Sequence, residues 1–430
     1  MSALGPGEHD EPTETAELRL EPLHFIARVD AVLRLGRLML GAGASSARVR
    51  DSMKRVAHGL AIDGLHSRVG MTDIVVTAQR GSLYRTRVAE VRPGVDADRI
   101  VRLQRLSHRA ETGATASDLQ AELEEIEASP PRYATALRVA AAAAACAAFA
   151  LLNNGGWAEA LAVGLAVAVG QWLRMVLLHA RINEFFVVFL SAVVALLGYF
   201  GIIGLLDAVR LADGGHDAAM TSAVLFLVPG FALVTGAMDL ARLDLHAGIA
   251  RVTYACLVLL ATGTAVWAIA AAFQSSATLT LPPLFDEPAL SVVRMIAGFT
   301  GVLGFALLFC TPWRIALLAA VIGAIVNLGR LLLVDAGAMP AVAAALAGLA
   351  VGVGAFAASR WLDAPRVTLA VPAVLIMVPG AAAYRAIVAT IDGDTVAAVQ
   401  YGVQSVSVVV ALAIGLTVAR ILTEREWGRT

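Results

Sequence analysis

Hydrophobic residues follow two patterns in this chain, spaced up to about position 130 and nearly continuous after it. Between Leu20 and Met39, the residues Leu23, Ile26, Val29, Val32, Leu33, Leu38 and Met39 recur every three or four positions, which predicts an amphipathic helix stopped by Gly41 and Gly43. Ser45 or Ser46 is placed to cap a second helix with the stripe Val49, Met53, Val56 and Leu60, ended by Gly64. Strand-like segments follow at 66–71, 74–78 and 83–91, the last two joined by the turn Gln79-Arg-Gly-Ser82. A helix is predicted at about 97–107, and another after the capping-box pattern Thr115-Ala-Ser-Asp118, with Leu119, Leu123 and Ile126 on its apolar face. Pro130-Pro131 closes what reads as a small soluble α+β domain over 21–130, and the polar stretch 1–20 before it is expected to be disordered.

Beyond Pro131, runs of about 20 apolar residues are long enough to cross a hydrocarbon core about 30 Å thick. Ten are predicted, at about 133–153, 157–178, 184–206, 218–238, 247–273, 289–309, 313–334, 337–359, 365–388 and 396–421. The fold class is therefore mostly α: a polytopic membrane protein with ten transmembrane helices behind the soluble domain. Two runs carry the same interruption, Val228-Pro229-Gly230 and Val378-Pro379-Gly380. Proline inside a helix removes a hydrogen bond and costs roughly 3 kcal/mol, so a repeated break asks for a purpose. Counted from Asp217 at 1.5 Å per residue, Pro229 falls about 18 Å into its run, near mid-bilayer. Broken backbone at that depth is tolerated only where it is buried in protein or lines a wet cavity.

The membrane part also repeats itself. One offset lays Arg138 on Arg294, the "FALL" at 149–152 on the "FALL" at 305–308, Trp157 on Trp313, Gln171 on Asn327 and Arg174 on Arg330. A slightly shorter offset lays the first Val-Pro-Gly on the second. Each copy, 133–273 and 289–421, holds five runs, and an odd number obliges the second copy to enter the membrane from the opposite side. Inverted repeats with helices interrupted at corresponding positions are the architecture of secondary transporters.

Composition and charge narrow the picture. The chain is 58% hydrophobic and 16% charged, and its first 132 residues hold 18 of the 33 Lys+Arg and 19 of the 34 Asp+Glu. Neither part is strongly basic, so nucleic acid is not an expected partner. No positively charged segment leads into an apolar stretch at the N-terminus, which therefore does not read as a signal peptide. With the N-terminus in the cytoplasm, the connections carrying or flanked by Arg174, Arg181, Arg242, Arg251, Arg314, Arg360 and Arg366 are cytoplasmic, while 274–288 has no Lys or Arg. Arg210, Arg330 and Arg385 fall near the other face. The expected location is the cytoplasmic (inner) membrane, multi-pass, with both termini inside. Cys146, Cys256 and Cys310 lie within or at the ends of apolar runs without CxxC spacing and read as core residues, and no cofactor or metal is expected.

Candidate site residues cluster around the breaks. Pro229, Gly230, Pro379 and Gly380 frame the site, where a half-helix N-terminus offers N–H groups to a carboxylate and exposed carbonyls receive an ammonium. Neutral hydrogen bonders available for a small polar side chain are Thr221, Ser222, Thr235, Tyr384, Gln404, Ser405 and the repeat-related Gln171 and Asn327, each of which could equally serve helix packing. Asp239 stands one turn after Thr235, and its repeat position is Ala389. It is a candidate proton-coupling residue or, alternatively, the partner of Arg242. Glu159 and Glu184 lie at span boundaries and are expected to face the headgroups, and Gly348-x-x-x-Gly352 matches a close-packing motif that leaves a homo-oligomer open. In the soluble domain Ser45, Ser46, Asp51, His58, Asp63 and His66 supply the residue types of a hydrolase without a G-x-S-x-G elbow, so a gate, regulatory or assembly role is expected in place of an enzyme.

The stretches "LRLGRLMLGAGASSARVRDSMKRVAHGLAI", "YRTRV", "RIVRLQRLS", "LVPGFALVTGAMDLARLDLHAGIARV" and "MVPGAAAYRAI" together resemble the threonine/serine exporter family of bacterial and fungal membrane proteins, from about Phe25 to near the end of the chain. The resemblance implies ten spans behind a cytoplasmic N-terminal domain and export of threonine, serine or related small metabolites, driven by the proton-motive force. Its residue-level implications reach only the two Val-Pro-Gly motifs, Asp239 and the Gly43-Ala-Ser-Ser46 stretch. No Walker A sequence is present, so ATP is not the evident energy source. A small dicarboxylate as cargo, a membrane-tethered hydrolase and a solute sensor are the alternatives.

Overall fold

The spaced apolar positions of the first 130 residues fold into helices packed on one face of a small sheet. In the computed structural model the backbone is described for residues 13–210, 220–273 and 286–424, and side chains from residue 23 onward. The chain divides into two compact units, Met1–Gly94 with Arg99–Pro130, and Val95–Asp98 with Pro131–Thr430.

In the first unit, α1 (Thr13–Gly41) and α2 (Ser46–Gly59) precede strands β1 (Gly64–Val69), β2 (Asp73–Arg80) and β3 (Leu83–Glu90), and α3 (Ala97–Glu111) and α4 (Ala116–Ala128) follow. The sheet is antiparallel in the order β1-β2-β3, with Val76 opposite Ser67 on one side and Arg87 on the other. Strand alternation sends Ile74, Val76 and Ala78 inward, where they join Val29, Leu35, Met39, Met53 and Val56 in the core. The predicted capping box holds, since Thr115 Oγ1 accepts from the Asp118 amide at 3.1 Å. Helix α1 begins at Thr13, so residues 13–20 of the expected disordered tail are helical, and residues 1–12 lie outside those described. Glu127 accepts hydrogen bonds from Arg34 and Arg37. Burial acts to raise its pKa, but the hydrogen bonds and charges of the two arginines outweigh it and hold the carboxyl below its ordinary value. The residues considered for a hydrolase are dispersed: Ser45 and Ser46 start α2, exposed His58 and His66 lie on a helix and a strand, and Asp63 receives the Gly81 amide at 2.7 Å.

Every described secondary-structure element of the second unit's membrane part is a helix. It comprises α5 (Thr135–Leu152), α6 (Trp157–His179), α7 (Glu184–Ala208), a 3-10 arm (Thr221–Leu227), α8 (Gly230–Ala241), α9 (Leu245–Ala272), α10 (Ala289–Leu308), α11 (Trp313–Asp335), α12 (Pro340–Leu362), α13 (Arg366–Leu375), α14 (Gly380–Ile391) and α15 (Thr395–Thr423). Among the described residues eight of these helices are long and apolar enough to cross a membrane, and two bent pairs bring the count to ten. Asp217 and most of the 274–288 connection fall outside the described residues.

The duplication extends to backbone detail. Helices α6 and α11 have 23 residues each, and α8 and α14 have 12 each. Left-handed turns recur at equivalent points: Asn154 (φ 63°) and Cys310 (φ 58°), Arg181 (φ 58°) and Gly337 (φ 90°), Leu243 (φ 59°) and Gly393 (φ 75°). Positive φ is uncommon outside glycine, so the left-handed Asn154, Arg181 and Leu243, each matched by a left-handed residue in the second copy, support a common backbone plan. The Gly348-x-x-x-Gly352 motif packs within the chain, because a Cβ on Gly348 would lie 2.5 Å from the Leu412 carbonyl oxygen of α15. Glu159 also departs from expectation: it is 7% exposed and faces inward, while half-buried Glu184 accepts from the Tyr254 hydroxyl at 2.5 Å.

Candidate functional site at two crossed helix breaks

Each Val-Pro-Gly folds as an inverse γ-turn. Pro229 has φ −80° and ψ 60°, Pro379 has φ −79° and ψ 59°, and in both turns the glycine amide donates to the valine carbonyl at 2.8 Å. Proline lacks an N–H to continue the preceding helix, but its carbonyl opens the next one by accepting from Leu233 in the first copy and Ala383 in the second, both at 3.0 Å. The result is a bend of 63° in the first pair and 47° in the second. The amides of Phe231 and Ala232, and of Ala381 and Ala382, fall in the first turn of a new helix, where no carbonyl of that helix can reach them.

The two breaks cross each other. A Cβ on Gly230 would lie 2.7 Å from Leu375 Cδ1, at the end of the second copy's first arm. A Cβ on Gly380 would lie 3.3 Å from Phe149 Cε1 of α5 and 3.9 Å from Thr221 Cβ on the first copy's first arm. At Gly230 the missing Cβ is what lets the half-helix start come so near the opposite arm, whereas the approach of Gly380 to Thr221 is an ordinary van der Waals contact. Thr221 is 8% exposed and its hydroxyl has no hydrogen-bond partner, so a buried polar group is left at this crossing. Its neighbour Ser222 is fully buried and receives a 3.4 Å hydrogen bond from Asn153 Nδ2. Gln171 and Asn327 are 2% and 1% exposed, on helices that pack against the first arm of their own copies. Gln171 Oε1 and Asn327 Nδ2 each lack a hydrogen-bond partner, and Asn327 Oδ1 accepts from Arg330 Nε at 3.1 Å. Tyr384 is buried on α14, whereas Gln404 and Ser405 are half-buried on α15.

Thr235 and Asp239 belong to a second cluster, below the first break. Asp239 is 1% exposed, and its Oδ2 lies 3.4 Å from Nε of Arg251, a residue seven positions into α9 and itself 5% exposed. Arg251 Nη1 donates to Thr235 Oγ1 at 2.7 Å, and the Thr235 hydroxyl donates in turn to the Phe231 carbonyl at 2.6 Å. Having spent its proton on the helix, the hydroxyl presents only lone pairs to the guanidinium. Arg251 therefore belongs to a buried triad and not beside a loop, as its place near a span end suggests. The Asp239 carboxylate faces Arg251, and its backbone carbonyl accepts from the Arg242 amide at 3.2 Å. The close approach of α8 and α9 at Gly236 and Gly248 is the sequence signal for this junction. Sequence reasoning also passes over a cavity between the two bent pairs, lined by Val234 and Met238 of α8, Arg366 and Ala370 of α13, and Leu416 and Arg420 of α15.

Ten apolar spans in two copies, each with a helix broken at the same point and the two breaks crossed, define a polytopic membrane transporter. The chain belongs to the threonine/serine exporter family: the model described as "Putative threonine/serine exporter" matches residues 30–274, and that described as "Threonine/Serine exporter, ThrE" matches residues 294–422. Among similar curated proteins, the "Probable succinate transporter subunit YjjP" of Klebsiella aerogenes is 30% identical over 231 residues, covering 52% of this chain and 85% of the relative. Its Escherichia coli counterpart of the same name is 28% identical over 237 residues, or 54% and 88%. The "Probable threonine/serine exporter" of Mycobacterium tuberculosis is 24% identical over 396 residues, or 87% and 72%. No solved structure matches the chain.

Proposed function

We propose that the chain is a secondary active exporter of small hydroxy-amino acids, threonine and serine, that works by alternating access and is coupled to protons. The observation that carries this is the reciprocal approach of Gly230 to Leu375 and of Gly380 to Thr221, which sets each half-helix N-terminus against the other copy's first arm, with a buried hydroxyl on one of those arms. First-turn amides suit a carboxylate, and the Thr221, Ser222, Gln171, Asn327 and Tyr384 side chains suit a small polar side chain. Asp239, buried against Arg251, is the candidate for carrying the coupling proton. On this reading the protein lies in the cytoplasmic membrane with both termini inside, and the first unit serves as a gate or assembly domain.

Counterflow in proteoliposomes with labelled threonine, serine and succinate tests the cargo. Exchange of threonine and serine is expected. Exchange of succinate alone would move the assignment to a dicarboxylate exporter, the second reading, which the two succinate-named relatives favour. Asp239→Asn should lose dependence of export on a pH gradient while keeping part of its exchange. Unchanged pH-gradient dependence in that variant would remove Asp239 from the coupling.

A further inference from the structure

Each copy places a guanidinium where its second half-helix meets the long helix that follows, but the two junctions are wired differently. In the first copy the arginine is on the long helix: Arg251 faces Thr235 and Asp239 of α8. In the second copy the Arg251 position holds Tyr401, the Thr235 position holds Arg385 and the Asp239 position holds Ala389. The charge has changed sides. Arg385, half-buried on α14, lies over the ring of Tyr401 on α15 at 5.7 Å from its centroid. Among the described residues no carboxylate comes within ion-pair distance of it.

An aromatic face attracts a cation but brings no net negative charge, so it offsets only part of what the guanidinium loses on leaving water. The first copy supplies the remainder with Asp239. The second has a methyl group, that of Ala389, buried at the same place. Gln404 and Ser405 stand one turn beyond Tyr401 on the same side of α15 and are half-buried. Along α14 this junction lies between the break at Gly380 and the end of the helix at Ile391. We propose that Arg385, Tyr401 and Ala389 form a binding site for a carboxylate of the transported solute, which takes the place that Asp239 fills in the first copy. The inference rests on the exporter reading and adds a recognition residue on the way to or from the crossing. A planar guanidinium binds a carboxylate by two parallel hydrogen bonds, so Arg385 selects the acid over its amide.

The test uses the full-length chain in liposomes, with labelled threonine, serine or succinate in counterflow against unlabelled threonine or threoninamide. In the wild type, threonine is expected to compete better than threoninamide by roughly tenfold or more. In Arg385→Gln the preference should shrink several-fold, to what the first-turn amides at the crossing supply, and Arg385→Lys should keep an intermediate preference. Ala389→Asp, which supplies an internal carboxylate, should reduce the preference likewise, and Arg385→Gln keeps the test independent of how that buried substitution folds. An Arg385→Gln protein with unaltered melting temperature and an intact preference for the acid would overturn the site. So would a preference that stays intact while transport loses its dependence on anionic lipid, because Arg385 would then hold a headgroup. Should the wild type exchange none of the three solutes, the exporter reading fails separately. The site is then judged by whether succinate raises the melting temperature of the wild type and not of Arg385→Gln, and a wild type that shows no such rise overturns it.

Discussion

Around Pro229 and Pro379 the two copies have the same backbone angles, the same 2.8 Å γ-turn bond and half-helices of the same length. Beyond the prolines their side chains part: Thr235, Asp239 and Arg251 in one copy stand where Arg385, Ala389 and Tyr401 stand in the other. The contrast separates two kinds of inheritance. Backbone at the break is dictated locally, by a residue with fixed φ and no N–H followed by one with no Cβ, so any copy that keeps Pro-Gly keeps the turn. Charge at the junction depends on pairing across two helices, and it can be moved from one helix to the other so long as the guanidinium finds a counterpart.

The largest way to break the comparison is to strip the counter-charge. Asp239→Ala takes the nearest carboxylate from buried Arg251 and leaves it the Thr235 hydroxyl and the more distant charge of Asp244, and is expected to cost about 3 kcal/mol, read as a lowered melting temperature of the purified chain. Arg385→Ala, which removes a cation held only by a ring, should cost less than about 1 kcal/mol in the same assay. Equal losses would mean the two junctions are not differently wired. Next, Thr235→Val deletes the acceptor of a charged hydrogen bond while keeping shape, for an expected loss of about 1.5–3 kcal/mol. Retention of full stability would show that the neighbouring carboxylates satisfy Arg251 without Thr235. The breaks themselves should respond unequally: Gly230→Ala drives a methyl into buried Leu375 and is expected to cost about 1–3 kcal/mol, whereas Gly380→Ala meets only the edge of Phe149 at 3.3 Å and should cost less.

The smallest effect belongs to a reference pair outside both copies. Glu127 is half-exposed between Arg34 and Arg37, with its pKa lowered in the folded state from an ordinary 4.5. Its contribution is therefore complete above the unfolded pKa and fades as pH falls through the folded one. Solvent screening limits it to less than about 1 kcal/mol. Hydrogen exchange in α4 should show wild type better protected than Glu127→Gln at pH 6, with the difference shrinking below about pH 4. A difference that grows on acidification would reverse the assignment.

Much of this fold is legible in the sequence, because proline, glycine and apolar run length act locally. The two breaks, the two copies and the capped helix at Thr115 need no knowledge of distant contacts. The triad is different. Arg251 sits near a span end in a chain whose positive residues mark loops, and its partner Asp239 lies on the far side of a reversal built on left-handed Leu243. Hydrophobic periodicity gives depth along a helix but not the facing residue on another. The same limit explains Glu159, polar at a boundary yet turned inward, and the Gly348 motif, whose spacing fits contact with α15 as well as with a second molecule.

Because each break is seated on the opposite copy's first arm, the order of synthesis matters. A ribosome releases Gly230 well before Leu375, so the earlier half is made with its bend still lacking the leucine it will later rest against. Assembly of this protein is thereby finished from its C-terminal half, and truncation before residue 366 would leave the N-terminal half with a kinked helix lacking its mate.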